Sequence, residues 1–260
     1  MRANQLWLKR VMKFGFILMM GVSMSANAGW LGFGGDSWKE EVLLHDGRKI
    51  IVKRSQSYGG RHEIGQGAPI KEQDITFTLP GANQSITWTS EYSEDVGRAN
   101  FKLLALHLLN GTPYIVASPN LCLSYNKWGR PNPPYVSFKY DSKEWQRIPL
   151  TELPVEFKDI NVVIDTREYD WKIAMREVIS AEAVKKLNSN LTQPQYKTIL
   201  REAYPGAVGG CSEMIHTNDG WEGLGFFKLQ ASYEACLKYC ERKSVNKQNC
   251  PCNKLFKGEK

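Results

Sequence analysis

Turn pairs that favour a positive φ recur between short alternating or apolar runs over residues 40–166, and that recurrence restricts the region to antiparallel hairpins. Residues 40–45 and 48–53 flank Asp46-Gly47. A two-residue type I′ loop there pairs Leu43 with Ile50, Val42 with Ile51 and Glu40 with Lys53. Both faces of that ribbon carry apolar residues, so it is expected to be covered on each side. In the next hairpin Ile75, Phe77 and Leu79 alternate with Thr76 and Thr78, Pro80-Gly81 breaks the run, and Ile86 and Trp88 resume it. Asn110-Gly111 joins two almost wholly apolar arms, residues 101–109 and 112–117, which predicts a central position. Residues 135–140 and 145–150 form a fourth hairpin around 141–144, with Tyr140 and Trp145 as a cross-strand aromatic pair. A last strand is expected over residues 160–164. The fold class is therefore mainly β: an antiparallel hairpin meander that closes as a sandwich or barrel. Partial propeller-like sheets are the alternative, although a full propeller needs more residues than this stretch supplies.

Past Thr166 the pattern changes to helical period, which divides the chain into residues 1–28, a β-rich domain 29–166 and a helical, cysteine-rich C-terminal region 167–260. Ser180 caps a short helix over residues 181–188. Thr192 precedes a second, with Pro194 in its first turn, Tyr196, Ile199 and Leu200 on one side, and Pro205-Gly206 at its end. A third is expected over residues 227–243, with Leu229, Tyr233, Cys236, Leu237 and Cys240 on one stripe.

Residues 1–28 read as a cleavable secretory signal. Arg2, Lys9, Arg10 and Lys13 precede an apolar run over residues 14–24, and Ala26-Asn27-Ala28 offers a small-residue cleavage site. The run is about half the roughly 20 residues that a spanning helix needs, so a cleaved signal is favoured over an anchor and no stable membrane span is expected. Cleavage near Ala28 implies a periplasmic or secreted protein. It also removes four basic residues and no acidic ones, lowering the formal net charge from +7 to +3. With basic and acidic residues interspersed, nothing points to nucleic acid.

An oxidising compartment also decides how the six cysteines are read. Cys236, Cys240, Cys250 and Cys252 have the spacing C-x3-C-x9-C-x-C, which in a reducing compartment could hold zinc through four thiolates. For an exported chain, disulfides are the better reading. Two cysteines one helical turn apart point outward along one face, and Cys250 and Cys252 are too close to pair comfortably. The helix pair is therefore expected to bond the Cys-Pro-Cys pair in one of two registers, leaving Cys122 with Cys211. No metal and no cofactor are expected.

Catalytic constellations are sparse. His62-Glu63 resembles the start of a zinc-protease helix, but Gln66 stands where the second histidine belongs and four nearby glycines oppose a helix. Nucleophile-elbow, phosphate-loop and dinucleotide-binding patterns are missing. Cys211 with His216 nearby could act as nucleophile and base, although an exported cysteine is more often half of a disulfide.

Two loops are candidate binding elements. Residues 58–69 place Arg61, His62 and Glu63 among four glycines. Residues 125–135 hold Tyr125, Trp128, Arg130, Tyr135 and three prolines, an aromatic and guanidinium surface suited to sugars, peptides or proline-rich partners. The strings at residues 44–47 (Leu-His-Asp-Gly), 54–65 (Arg-Ser-Gln-Ser-Tyr-Gly-Gly-Arg-His-Glu-Ile-Gly) and 124–135 (Ser-Tyr-Asn-Lys-Trp-Gly-Arg-Pro-Asn-Pro-Pro-Tyr) resemble an uncharacterised family of bacterial exported proteins over about residues 38–205. That resemblance implies export but no activity, and it transfers no catalytic residue. The expected role is an exported, disulfide-stabilised binding or interaction module. Its partner would be an envelope glycan, a peptide or another protein. The alternative is an envelope-acting hydrolase with His62 and Glu63 as base and acid.

Overall fold

The computed structural model describes residues 35–81, 83–164, 178–203, 205 and 210–256. The signal-type segment, Thr166 and Gly206 lie outside the described residues. Strands β1 (Gly35–Leu43), β2 (Lys49–Tyr58), β3 (Ile70–Thr78) and β4 (Ser85–Ser90) form one antiparallel sheet in sequence order. After the small β5–β6 hairpin (Tyr92–Ser93, Arg98–Ala99), β7 (Phe101–Leu109), β8 (Thr112–Pro119), β9 (Val136–Tyr140) and β10 (Trp145–Ile148) form a second four-stranded meander. Helix α1 (Leu121–Lys127) sits in its β8–β9 connection. Val42, Val52, Ile75, Phe77 and Trp88 from the first sheet share one buried cluster with Phe101, Leu103, Leu106, Ile115 and Val136 from the second. The two sheets are thus a sandwich around a common core, with no closed barrel and no propeller blades among the described residues.

The hairpins follow their turn chemistry. At Asn110-Gly111 both residues have positive φ, 51° and 78°, and Leu109 pairs with Thr112 across a two-residue turn. The Asp46-Gly47 hairpin differs from expectation by one residue, since Val42 pairs with Ile50, Leu43 with Lys49 and Glu40 with Val52. Only Gly47 has positive φ there. Gly47 N–H donates to the Leu44 carbonyl at 3.0 Å, Leu44 N–H to that of Arg48 at 2.8 Å, and the Asp46 carboxylate accepts from Arg48 N–H. This is a three-residue turn with a glycine bulge, and the extra residue shifts the register. Nor is the ribbon covered on both faces, because Leu43 and Ile51 are 43% and 58% exposed.

The second sheet is buried on both sides. A bulge at Leu104 re-phases β7, so Leu103, Leu106 and Leu108 face the shared core. Leu104 and Ala105 join Tyr114, Val116, Phe157, Ile164 and Ile199 on the other side. This explains the unbroken apolar arms, although β7 ends its sheet rather than lying at the centre. Residues 160–164 are not a strand. They run as a strap along the β7 edge, where the Asn161 amide side chain accepts from Leu106 N–H at 3.0 Å and donates to the Leu106 carbonyl at 2.7 Å. One side chain thereby replaces a ladder step and closes an edge open to pairing with another chain.

Helix α2 (Ala181–Asn188) is capped by the Ser180 hydroxyl, which accepts from Ala183 N–H, and its Val184 packs with Ile179, Val163 and Trp38. The expected helix after Thr192 shrinks to one 3-10 turn, Pro194–Tyr196, because Ile199 leaves helical geometry to bond the Lys158 carbonyl. The hairpin β11 (Met214–Thr217) and β12 (Gly220–Gly223) then leads into α3 (Leu224–Lys228), α4 (Tyr233–Arg242) and α5 (Cys252–Leu255). The single helix expected over residues 227–243 is split at Leu229–Ser232, where Ser232 starts α4 by capping Ala235 N–H and Leu229 is 82% exposed. Cys236 bonds Cys252, Cys240 bonds Cys250, and Cys122 bonds Cys211, so the expected pairing scheme holds and one of its two registers is selected. Among the described residues no helix is long and apolar enough to cross a membrane.

Candidate functional site

Strands β4 and β10 each end a sheet and meet on one side of the sandwich, where the Trp145 indole N–H donates to the Thr87 carbonyl at 2.7 Å. Beside that contact lies a concavity of about 390 Å³. Its aromatic wall is Trp88, Phe101, Trp128, Phe138 and Trp145, and its polar rim includes Thr89, Glu91 and Asn100. The wall follows from strand alternation. Tyr140 pairs with Trp145 and Phe138 with Arg147, so these four side chains share one face of the β9–β10 hairpin. The Asp141 carboxylate, accepting from Lys143 and Glu144 N–H, shapes the loop that sets this register, and burdened by those donors its pKa lies below the usual range.

Trp128 comes from the end of α1. Its N–H bonds the Ser124 carbonyl, and Gly129 at φ 83° then turns the chain away. The indole ring stands 4.5 Å from Phe101 between centroids, and its N–H donates to Asn100 Oδ1 at 3.2 Å. Asn100 is itself held by two bonds to the Glu91 carbonyl and by a bond from the Ser124 hydroxyl to its own carbonyl. The wall is therefore rigidly supported, while Trp128, Phe138 and Trp145 remain only half-buried.

Arg147 completes the arrangement. Its guanidinium lies 5.5 Å from the centre of the Trp128 ring and, among the described residues, makes no ion pair. The exposed Glu91 carboxylate is likewise unpaired among them.

The other residues singled out in the sequence lie elsewhere. Arg130 covers the Tyr125 ring at 5.0 Å and donates to the Cys211 and Ser212 carbonyls and to Asn126 Oδ1, tying α1 to the C-terminal segment. Tyr125 is buried against the Cys122–Cys211 bond, and burial raises its pKa. Tyr135 is buried too. Its hydroxyl lies 3.0 Å and 3.1 Å from the Gln195 and Thr198 carbonyls, and burial pushes its pKa up to about 12. Arg61 docks its loop on the β5–β6 hairpin, with N–H donating to the Gly97 carbonyl and the guanidinium to that of Glu94. Gly60 is needed there because a Cβ would collide with the Gly97 carbonyl. His62 Nδ1 lies 2.9 Å from the Gly60 carbonyl, and Glu63 accepts from Gln66. Both are exposed.

Cys211 is consumed by its disulfide and is no nucleophile, and His216 packs edge-on against Trp221. The four tail cysteines are similarly paired, which leaves no thiolate to hold zinc although the sulfurs of Cys240 and Cys252 lie 3.7 Å apart. Of the predicted binding residues, only Trp128 reaches the concavity. Trp145 was legible as a hairpin partner of Tyr140, and extending that alternation by two residues identifies Arg147.

Comparison of the chain with protein-family models, with curated proteins and with solved structures finds no match.

Proposed function

We propose that this chain is an exported binding module and that its ligand, an envelope glycan, occupies the aromatic concavity between β4 and β10. The observation that carries the reading is the five-ring wall with three rings left partly open to solvent. Folding alone would favour covering them. A sugar ring has apolar C–H faces for Trp145 and Phe138 and hydroxyl edges for Glu91 and Thr89. The volume accommodates one or two such rings. Three disulfides fit an extracellular-type protein.

A peptide adding itself to β4 is less compatible with this surface, because Trp145 already occupies the Thr87 carbonyl at the middle of that edge. Titration of the oxidised protein with oligosaccharides from envelope glycans, read by tryptophan emission and calorimetry, tests the proposal. Saturable binding that Trp145→Ala abolishes and Trp145→Phe largely keeps is expected. Equal binding by wild type and Trp145→Ala would remove the concavity from consideration.

A further inference from the structure

We infer that the glycan is an acidic one and that Arg147 is the residue that selects it, an inference that rests on the glycan-binding reading above. The argument begins with the hairpin register. Arg147 stands directly opposite Phe138 and two residues from Trp145, and strand alternation projects all three toward Trp128. It is the cation of that face, since Lys139 and Gln146 form the neighbouring pair and point the other way.

A cation–π contact places the guanidinium at the wall. With its central carbon 5.5 Å from the Trp128 centroid, its N–H groups form a fork that matches a carboxylate with two parallel bonds. A structural arginine would be expected to spend those donors. Arg54 donates to Glu40, Val163 and Gln73, and Arg201 to the carbonyls of Leu153, Pro154 and Phe157. Arg147 spends none of its donors on an acid or a carbonyl among the described residues, and it is exposed beside an aromatic concavity.

The polar rim carries a complementary request. Glu91 is an unpaired carboxylate and can only accept hydrogen bonds, so the ligand edge facing it must donate, as hydroxyls do. A ring with an apolar face, hydroxyls along one edge and a carboxylate on another meets all three demands. A uronic-acid residue is the simplest such molecule. A wholly neutral sugar leaves Arg147 unused.

The test compares trimers of glucuronic acid and of glucose as probes, using the full mature, oxidised protein at low ionic strength. The charged trimer is expected to bind about tenfold or more tightly than the neutral one, the scale of a charge-assisted bond. Arg147→Gln should remove that preference, and Arg147→Lys should restore part of it. Added salt should narrow the preference in the wild type. Equal affinity of the two trimers, or a preference that survives in Arg147→Gln, overturns the acidic-sugar assignment but leaves a glycan site standing. Binding of neither trimer, or of an acidic peptide in their place, overturns both.

Discussion

Between the two large sheets, Val42, Val52, Ile75, Leu106 and Ile115 are fully buried in one apolar layer, whereas the main buried cluster of residues 210–256 is Phe227, Val245 and the half-cystines Cys236, Cys240 and Cys252. The first region folds because hairpin after hairpin contributes inward side chains to one core. The second has too few large apolar residues for that, and covalent bonds substitute for the missing area. The difference also separates their roles. A continuous core can hold a row of partly open aromatic rings in fixed positions, and the candidate site lies there rather than in the cysteine-rich tail.

The largest expected effect lies inside the sandwich. Glu40 and Arg54 are buried together at 2.9 Å, and Glu40 also accepts from Trp38 and Val163. Arg54→Met leaves the Glu40 charge buried without its partner and should cost about 3–5 kcal/mol in denaturant unfolding followed by tryptophan emission. Adding Glu40→Leu should recover part of the loss. A neutral result for Arg54→Met would mean that the pair contributes nothing to the region's stability.

Second in size is the tail. The Cys236–Cys252 bond closes a separation of 16 residues, so Cys236→Ser with Cys252→Ser should destabilise residues 210–256 by about 3 kcal/mol while the sandwich transition stays in place. Limited proteolysis should then cut in that region first. Concerted unfolding of both regions would break the comparison.

Acid should act on the sandwich through a buried histidine. His107 is fully buried, and that burial lowers its pKa from 6.5 to about 4. The groups around it are His45 and Arg201, which oppose a proton, and Asp159, whose carbonyl bonds Nε2 and favours one. Because the unfolded chain takes up the proton first, stability is unaffected above pH 6.5 and falls as pH drops from there toward 4. At pH 5 the expected loss is about 2 kcal/mol. His107→Gln should flatten that pH dependence, and an unchanged slope would assign it to other groups.

What was legible in the chain follows the same division. Asn110-Gly111 announced its turn because both residues accept positive φ, but Asp46-Gly47 used only its glycine that way, and a dipeptide does not reveal whether a bulge will shift the register. The disulfide scheme was legible because thiols one helical turn apart cannot bond each other. Residues 160–164 looked like a strand because Ile160, Val162, Val163 and Ile164 are apolar. Asn161 decided otherwise, by offering its amide to an edge 55 residues away in sequence. Trp128 was legible as an aromatic in a proline-rich loop. Arg130 and Tyr135 shared that loop but turned to tie distant segments together, which only the packed chain reveals.

The smallest stability effect should accompany the largest functional one. Trp145 is half-buried and packs on Tyr140 with centroids 5.2 Å apart, so Trp145→Ala should cost about 1 kcal/mol in unfolding yet abolish glycan binding. A loss of several kcal/mol would recast Trp145 as a core residue.

Hydrogen exchange of the oxidised protein with and without the glucuronic-acid trimer tests the location of function most directly. Ligand should slow exchange at residues 87–91, 128 and 145–147 and leave residues 210–256 unchanged. Slowing confined to residues 210–256 would contradict the assignment of binding to the sandwich.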